Sequence, residues 1–189
     1  GLSMIRFGID QIPNTLTLYE DDGTINFDNI TEFSEADYAF FLSYAQPIKT
    51  SKGKLQVGGN IKVIHRRIGP FATSWGFGAD LGVQWKPGKW SFGAVAKDVT
   101  TTFNAWSFSF TDAEKQVLEI TNNEIPINSV EITNPRLILG MNRHFQIKSF
   151  GISPELDLII TTDGERNTLI SADPLSIDPA FGVELDYNR

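Results

Sequence analysis

The chain has 189 residues, with 16 Lys plus Arg against 23 Asp plus Glu, a net charge of −7 and no cysteine. The acidic balance argues against a nucleic-acid partner, which calls for a basic face. The missing cysteines exclude a disulfide framework, a thiolate metal site and a cysteine nucleophile. No apolar run reaches the roughly 18 residues of a transmembrane helix, but the strands of a transmembrane barrel are individually too polar to register that way.

Ser3 to Ile9 sets Ser3, Ile5, Phe7 and Ile9 against Met4, Arg6 and Gly8, the period-2 alternation of a strand. Residues 10–36 turn polar, with Pro13-Asn14, Glu20-Asp21-Asp22-Gly23 and Asp28-Asn29 supplying turn chemistry. Asp37 to Gln46 resumes alternation, with Tyr38, Phe40, Leu42 and Tyr44 on the apolar side. After a turn at Thr50-Ser51-Lys52-Gly53, Lys54 to Arg67 opposes Leu55, Val57, Ile61 and Val63 to Gln56, Asn60, Lys62 and Arg66.

Gly69-Pro70 breaks that strand, and the clearest hairpin follows. Trp75, Phe77, Ala79, Leu81, Val83 and Trp85 alternate with Gly76, Gly78, Asp80, Gly82 and Gln84. The chain turns at Pro87-Gly88, and Trp90, Phe92, Ala94 and Ala96 oppose Ser91, Gly93, Val95 and Lys97. Residues 102–133 read as a second long insertion, with helical character from Asp112 to Leu118 and an N-cap at Thr111 or Asp112. Asn134 to Arg143 and Phe150 to Thr161 are strands joined by a short turn around Phe145 to Lys148. Residues 163–178 form a third polar loop, and Phe181, Val183, Leu185 and Tyr187 mark the last strand. About eight strands are visible.

Aromatic placement and loop lengths decide between two fold classes. Trp75 and Trp85, with Trp90 across the turn, bracket small aliphatics, and Tyr38 and Tyr44 again place aromatics at both ends of a strand. Rings at both ends of an apolar strand face are how a strand meets a bilayer, although the inner face of a soluble β-sandwich is also apolar. Long loops follow the first, fifth and seventh strands, and tight turns follow the second, fourth and sixth. Only the connection at Gly69-Pro70 is short for its side. That asymmetry is the plan of an outer-membrane barrel. The polar face repeatedly carries charge, at Arg6, Lys62, Arg66, Asp80, Lys97, Arg136, Glu155, Asp157, Glu184 and Asp186. A barrel would hold these in its lumen, where opposite signs pair. The fold expected is all-β: an antiparallel transmembrane β-barrel forming one domain over residues 1–189. Because Gly1 and Arg189 both fall in strand-like sequence, the chain reads as an interior portion of a longer protein.

The stretches Phe77 to Trp85 and Trp90 to Val99 resemble the PorV/PorQ family of Bacteroidetes outer-membrane proteins. So do Ile5 to Thr15, Thr102 to Trp106, Asp163 to Thr168 and Asp173 to Pro179. The loop sequences are the more specific part of the likeness. The resemblance implies a FadL-like barrel of about fourteen strands, located in the outer membrane of a Gram-negative bacterium. It implies a non-catalytic accessory or shuttle role in type IX protein secretion, with the translocon or secreted substrates as partners. Set against that family pattern the chain is short, and an N-terminal portion and closing C-terminal strands are expected outside it.

Candidate sites follow from the same reading. Phe103, Trp106, Phe108 and Phe110 crowd the second insertion and are the partner-binding candidates, exposed rings being suited to protein contact; the alternative is that they pack over the barrel mouth. Lys62, Arg66, Asp80, Lys97, Arg136, Glu155 and Asp157 are expected to form a lumen polar network, and Tyr38, Tyr44, Trp75, Trp85 and Trp90 to be membrane-interface aromatics in contact with outer-membrane lipid. An acid–base constellation of Asp80, Lys97, Glu155 and Asp157 is the enzymatic alternative to a salt-bridge network. No nucleophile elbow, P-loop or dinucleotide fingerprint occurs, and the chain is read as no enzyme. Glu20-Asp21-Asp22-Gly23 with Asp28 lacks EF-hand spacing and reads as a solvated turn, as does Asp163-Gly164-Glu165. His65 and His144 have no ligand-spaced partner and read as interfacial or turn residues. No cofactor or metal is expected. The competing functions are a FadL-like channel for hydrophobic small molecules and, third, a soluble β-sandwich or lipocalin-like binder.

Overall fold

The computed structural model describes residues 1–20 and 23–187. They form one 12-stranded antiparallel sheet and a single α-helix. The strands are β1 (Leu2–Asn14), β2 (Thr31–Thr50), β3 (Gly53–Ile68), β4 (Ala72–Lys86), β5 (Trp90–Lys97), β6 (Thr102–Phe108), β7 (Ser129–Thr133), β8 (Arg136–Arg143), β9 (Phe145–Ile147), β10 (Phe150–Thr161), β11 (Ile170–Ser171) and β12 (Ser176–Tyr187). The helix α1 spans Asp112–Ile120.

Twelve strands exceed the eight read from the sequence, and the register explains the difference. β4 pairs with β5 through Leu81–Trp85 and with β6 through Ala72–Phe77. β5 and β6 are therefore one run interrupted at residues 98–101. β7, β8 and β9 form a second interrupted run, which pairs in turn with β6, β5 and β10. β11 is a two-residue addition on β12. The eight expected strands are all present. The expected insertion at 102–133 is a correction: its flanks are β6 and β7, and the loop between them is 109–128. Alternation does not reveal β6, because Trp106 and Phe108 alternate with Phe103 and neither face stands out as apolar.

Loops 15–30, 109–128 and 162–175 lie on one side of the sheet, and the tight turns at 51–52, 87–89 and 148–149 on the other. Within the long loops, α1 starts with a capping box in which Thr111 and Glu114 satisfy each other's backbone N–H groups.

The sheet is not closed among the described residues. β1 and β12 do not pair with each other, and each keeps an outer edge that no long strand covers. Of the expected barrel the described residues show an open antiparallel sheet.

Burial runs opposite to that of a soluble protein. Along β4 the even-numbered residues from Ala72 to Asp80 are buried while Trp75 and Phe77 stand exposed. Trp75 is 52% exposed and Leu81 57%, against 7% for Asp80 and 1% for Ser74. Phe71 and Ala72 are the only buried hydrophobic residues described, whereas Lys62, Asp80, Asp98, Thr102 and Asn104 are all buried. No second layer accounts for this, because the substantial contacts between elements are those of hydrogen-bonded strands. On this polar, inner face long side chains reach across neighbouring strands, as Lys62 does to Asp98, and the apolar face is the outer one.

β1 departs from the expected phase. Arg6 pairs with Tyr38 and donates from Nε to its hydroxyl at 3.3 Å, on the apolar outer face. Ile5 and Phe7, opposite Ala39 and Asp37, lie on the inner face. The expected place of Arg6 on the charged face is corrected: strand pairing, not the charge of one residue, sets the side.

Candidate functional site

The inner face carries two ionic clusters. β5 ends at Lys97, and the chain then loops through Asp98 and Thr101, both with positive φ (57° and 58°). The Val99 N–H still donates to the Ala79 carbonyl at 2.9 Å, so the interruption is a bulge held against β4. The bulge carries Asp98 over the inner face. Lys62 Nζ on β3 donates to Asp80 Oδ1 at 2.9 Å and to Asp98. The Asp98 backbone N–H donates to Asp80 Oδ1 at 2.8 Å, and the Thr102 hydroxyl donates to Asp98. Gly78 makes room, since a Cβ there would sit 1.9 Å from Thr102 Oγ1 and 2.7 Å from Lys62 Cε.

The second cluster lies nearer the long loops. Arg66 Nε donates to both oxygens of Asp37 at 3.0 and 3.1 Å, and its Nη1 reaches Glu131 at 3.3 Å. Trp106 Nε1 donates to the same Glu131 oxygen at 3.0 Å, and the Arg66 guanidinium lies 4.9 Å from the Trp106 ring centroid.

All seven residues expected in the polar network lie on this one face, by register. Lys62 pairs with Asp80, and Arg66 pairs elsewhere. Lys97 stands directly opposite Arg136. Glu155 and Asp157 follow on β10 opposite Asn142 and Gly140. None of these last four joins a salt bridge among the described residues. Asp98, Thr102, Asp37 and Glu131 complete the clusters, and the sequence pattern does not single them out. A buried aspartate at a strand break is visible there only as Asp98 following Lys97, which cannot show that a bulge turns it inward.

The four loop aromatics separate. Phe103 points outward beside Phe77, with ring centroids 5.9 Å apart. Trp106 and Phe108 share the inner face with Ser74 and Ala72. A chain of rings runs from Trp106 to Phe108 (6.1 Å), Phe110 (6.4 Å), Phe71 (5.7 Å) and Phe33 (5.1 Å). The expectation that all four lie in one loop is corrected. Phe103, Trp106 and Phe108 are on β6, and Phe110 just precedes α1.

The five aromatics expected at a membrane interface fall on the outer, apolar face. On the loop side Trp75 stacks on His65 at 4.3 Å, and Tyr38 on His65 at 6.5 Å. On the turn side Trp85, Phe92 and Trp90 stack in series at 5.7 and 5.8 Å, and Tyr44 is exposed on β2. His144 instead faces inward, bonded to Ser153 and Gln146 at 3.0 and 3.1 Å.

Charge also divides along the strands. Lys49, Lys52, Lys54, Lys86, Lys89 and Lys148 all lie in or beside the tight turns. The long loops carry Glu20, Asp28, Asp112, Glu114, Glu119, Glu124, Asp163 and Glu165 against Lys115 and Arg166. Glu20 braces its own loop, accepting from Asn26 and Asn29 at 2.7 and 3.0 Å. Asp21 and Asp22 of that acidic run lie outside the described residues. Asp163 accepts from Arg166 Nε at 2.8 Å, and this bond holds its carboxyl below the usual carboxylate range. Among the described residues no group of His, Asp and Glu is arranged to hold a metal ion.

Compared with family models, curated proteins and solved structures, the chain matches none.

Proposed function

We propose that this sheet is part of the wall of a FadL-like outer-membrane β-barrel, PorV/PorQ-like, with a non-catalytic accessory role in type IX secretion. One observation carries the barrel reading: at the centre of the sheet, on β4 and the strands beside it, the polar face is buried and the apolar face exposed. In water that arrangement forfeits the burial of every outer aromatic, at roughly 25 cal/mol per Å² of apolar surface. In a bilayer the same surface meets hydrocarbon, and the inner charges meet one another and lumen water. A soluble sandwich would bury the apolar face against a second sheet, and no such layer exists among the described residues. The aromatics at both ends of the outer face, and loops long on one side only, support the same reading. The free edges of β1 and β12 are where further strands of a larger barrel would join.

The accessory role rests on the family resemblance and on the loop side, where acidic loops surround the half-buried, mutually stacked Trp106–Phe108–Phe110 rings. The pairing of Lys62 with Asp80 and Asp98 favours a structural rather than a catalytic use of the inner charges. A channel for hydrophobic molecules is the second reading, favoured by Ile5 and Phe7 on the inner face of β1. A gentle-detergent pull-down of the full-length protein, followed by mass spectrometry, tests both. Recovery of a large translocon barrel or of secreted proteins supports the accessory role, and recovery of the barrel with lipid alone supports transport. A protein that stays in solution without detergent defeats both.

A further inference from the structure

We infer that the turn-side rim of the outer face holds a specific site for a phosphate-bearing lipid, centred on Arg143; this rests on the membrane-barrel reading above. Arg143 ends β8 and pairs with Trp90 at the start of β5. Its guanidinium is held between two rings, 4.9 Å from the Trp90 centroid and 4.7 Å from that of Phe145. Its Nε is buried and has no hydrogen-bond partner. Among the described residues no carboxylate pairs with it. Glu155, on the neighbouring strand, belongs by register to the inner face. The buried Nε is closed off by the protein, so a cation flanked by two aromatic faces and lacking a carboxylate partner is arranged to receive an anion at its remaining guanidinium nitrogens.

The anion's chemistry follows from what lies beside it. A groove of about 300 Å³ beside Arg143 is lined by Trp90, Met141, Phe145, Pro154, Leu156 and Phe181, with Asn142 and Glu155, whose side chains belong by register to the opposite face, also at its wall. Apart from Arg143, these outward side chains are apolar or aromatic, which suits an acyl chain and not a free inorganic anion. The site also lies next to the turns at 87–89 and 148–149, where Lys89 and Lys148 add positive charge. Headgroup phosphates occupy that level of a bilayer, and a planar guanidinium fork matches phosphate oxygens bidentately. The occupant is thus a glycerophospholipid: its phosphate accepts from Arg143, and one chain lies across Met141, Leu156 and Phe181.

The test uses the full-length protein, first floated with vesicles to establish insertion. It is then stripped of bulk lipid in mild detergent and offered phosphatidylglycerol or diacylglycerol of identical chains, with retention read by native mass spectrometry. Wild type should retain phosphatidylglycerol at least about tenfold better than diacylglycerol, the scale of one charge-assisted contact. Arg143→Gln should remove that preference. Leu156→Trp, which fills the groove and leaves Arg143 intact, should lower phosphatidylglycerol retention without relying on the arginine variant to fold. Equal retention of the two lipids by inserted wild type, or undiminished phosphatidylglycerol on folded variants, overturns the site and leaves the barrel reading standing. Failure to float with vesicles overturns the barrel reading and the site with it.

Discussion

Lys62 on β3 and Asp98 in the bulge between β5 and β6 meet across the whole width of β4, and both are buried. Asp80 on β4 shares the same ammonium group, so one cation holds two carboxylates. Removing the cation leaves both carboxylates without their counter-ion, and breaking a buried pair from one side costs about 3–5 kcal/mol. Lys62→Met is expected to lose stability on that scale, read as an earlier midpoint in urea unfolding. Asp98→Asn, which leaves Lys62 with Asp80, should cost less.

Gly78 sets the space in which that cluster forms. An alanine there would place its Cβ inside the contact distance of Thr102 Oγ1 and Lys62 Cε. Thr102 is on a paired strand and cannot retreat freely, so Gly78→Ala should destabilise by about 1–3 kcal/mol. Gly93 lies on the same face, on β5, and a Cβ added there would meet nothing within 4 Å. It serves as the control: Gly93→Ala should be close to neutral in the same unfolding assay.

How much of this is legible in the sequence depends on how far each feature relies on period 2. Trp75 to Trp85 alternates cleanly, so the strand and its two faces can be read directly. The shared face of Lys62, Arg66, Asp80, Lys97, Arg136, Glu155 and Asp157 follows from the same parity. β6 cannot be read that way, because Phe103 and Trp106 are both aromatic and point to opposite faces. Asp98 needs a bulge, and a bulge shifts parity by backbone geometry that no side-chain pattern announces. Arg6 defies its own charge because an edge strand takes its face from the partner strand, here through Tyr38. Pairing of Arg66 with Asp37 and Glu131 depends on register between distant strands, which alternation within one strand does not specify.

The separation of Phe103 from Trp106 and Phe108 makes partner binding testable with an internal control. If the loop-side rings on the inner face contact a partner protein, the double variant Trp106→Ala/Phe108→Ala should lose that partner in a detergent pull-down. Phe103→Ala, which alters the outer face beside Phe77, should retain it. Unchanged recovery with the double variant would remove these rings from the binding surface.

Asp163 and Arg166 brace the third long loop, outside the strands. The hydrogen bond from Arg166 is the main influence lowering the Asp163 pKa, with partial desolvation opposing it, and the Asp163 partner raises that of Arg166 in return. Because the folded Asp163 pKa lies below its unfolded value of about 3.9, the contact is fully present above that value. It is lost as pH falls through the folded pKa. Amide exchange in residues 162–175 should therefore stay constant from neutral pH down to the ordinary carboxylate range, after correction for intrinsic rates, and rise only below it. Arg166→Gln should abolish the depression of the Asp163 titration seen by NMR.

The two aromatic ends of β4 give the membrane reading a depth to measure. From Trp75 to Trp85 the strand advances ten residues, roughly 34 Å at ~3.4 Å each, and a tilt of ~40° shortens this to about 26 Å along the bilayer normal. That matches an apolar band about 25 Å tall with an aromatic girdle at each edge. In vesicles of brominated lipid, variants retaining one tryptophan should report that geometry. Trp75 and Trp85 should each be quenched most by bromine near the glycerol and least by bromine near the chain end. Trp106, on the inner face against Arg66 and Glu131, should be quenched little at any depth. Strong quenching of Trp106 with none of Trp75 would mean that the faces are reversed and that the buried polar side is not a lumen.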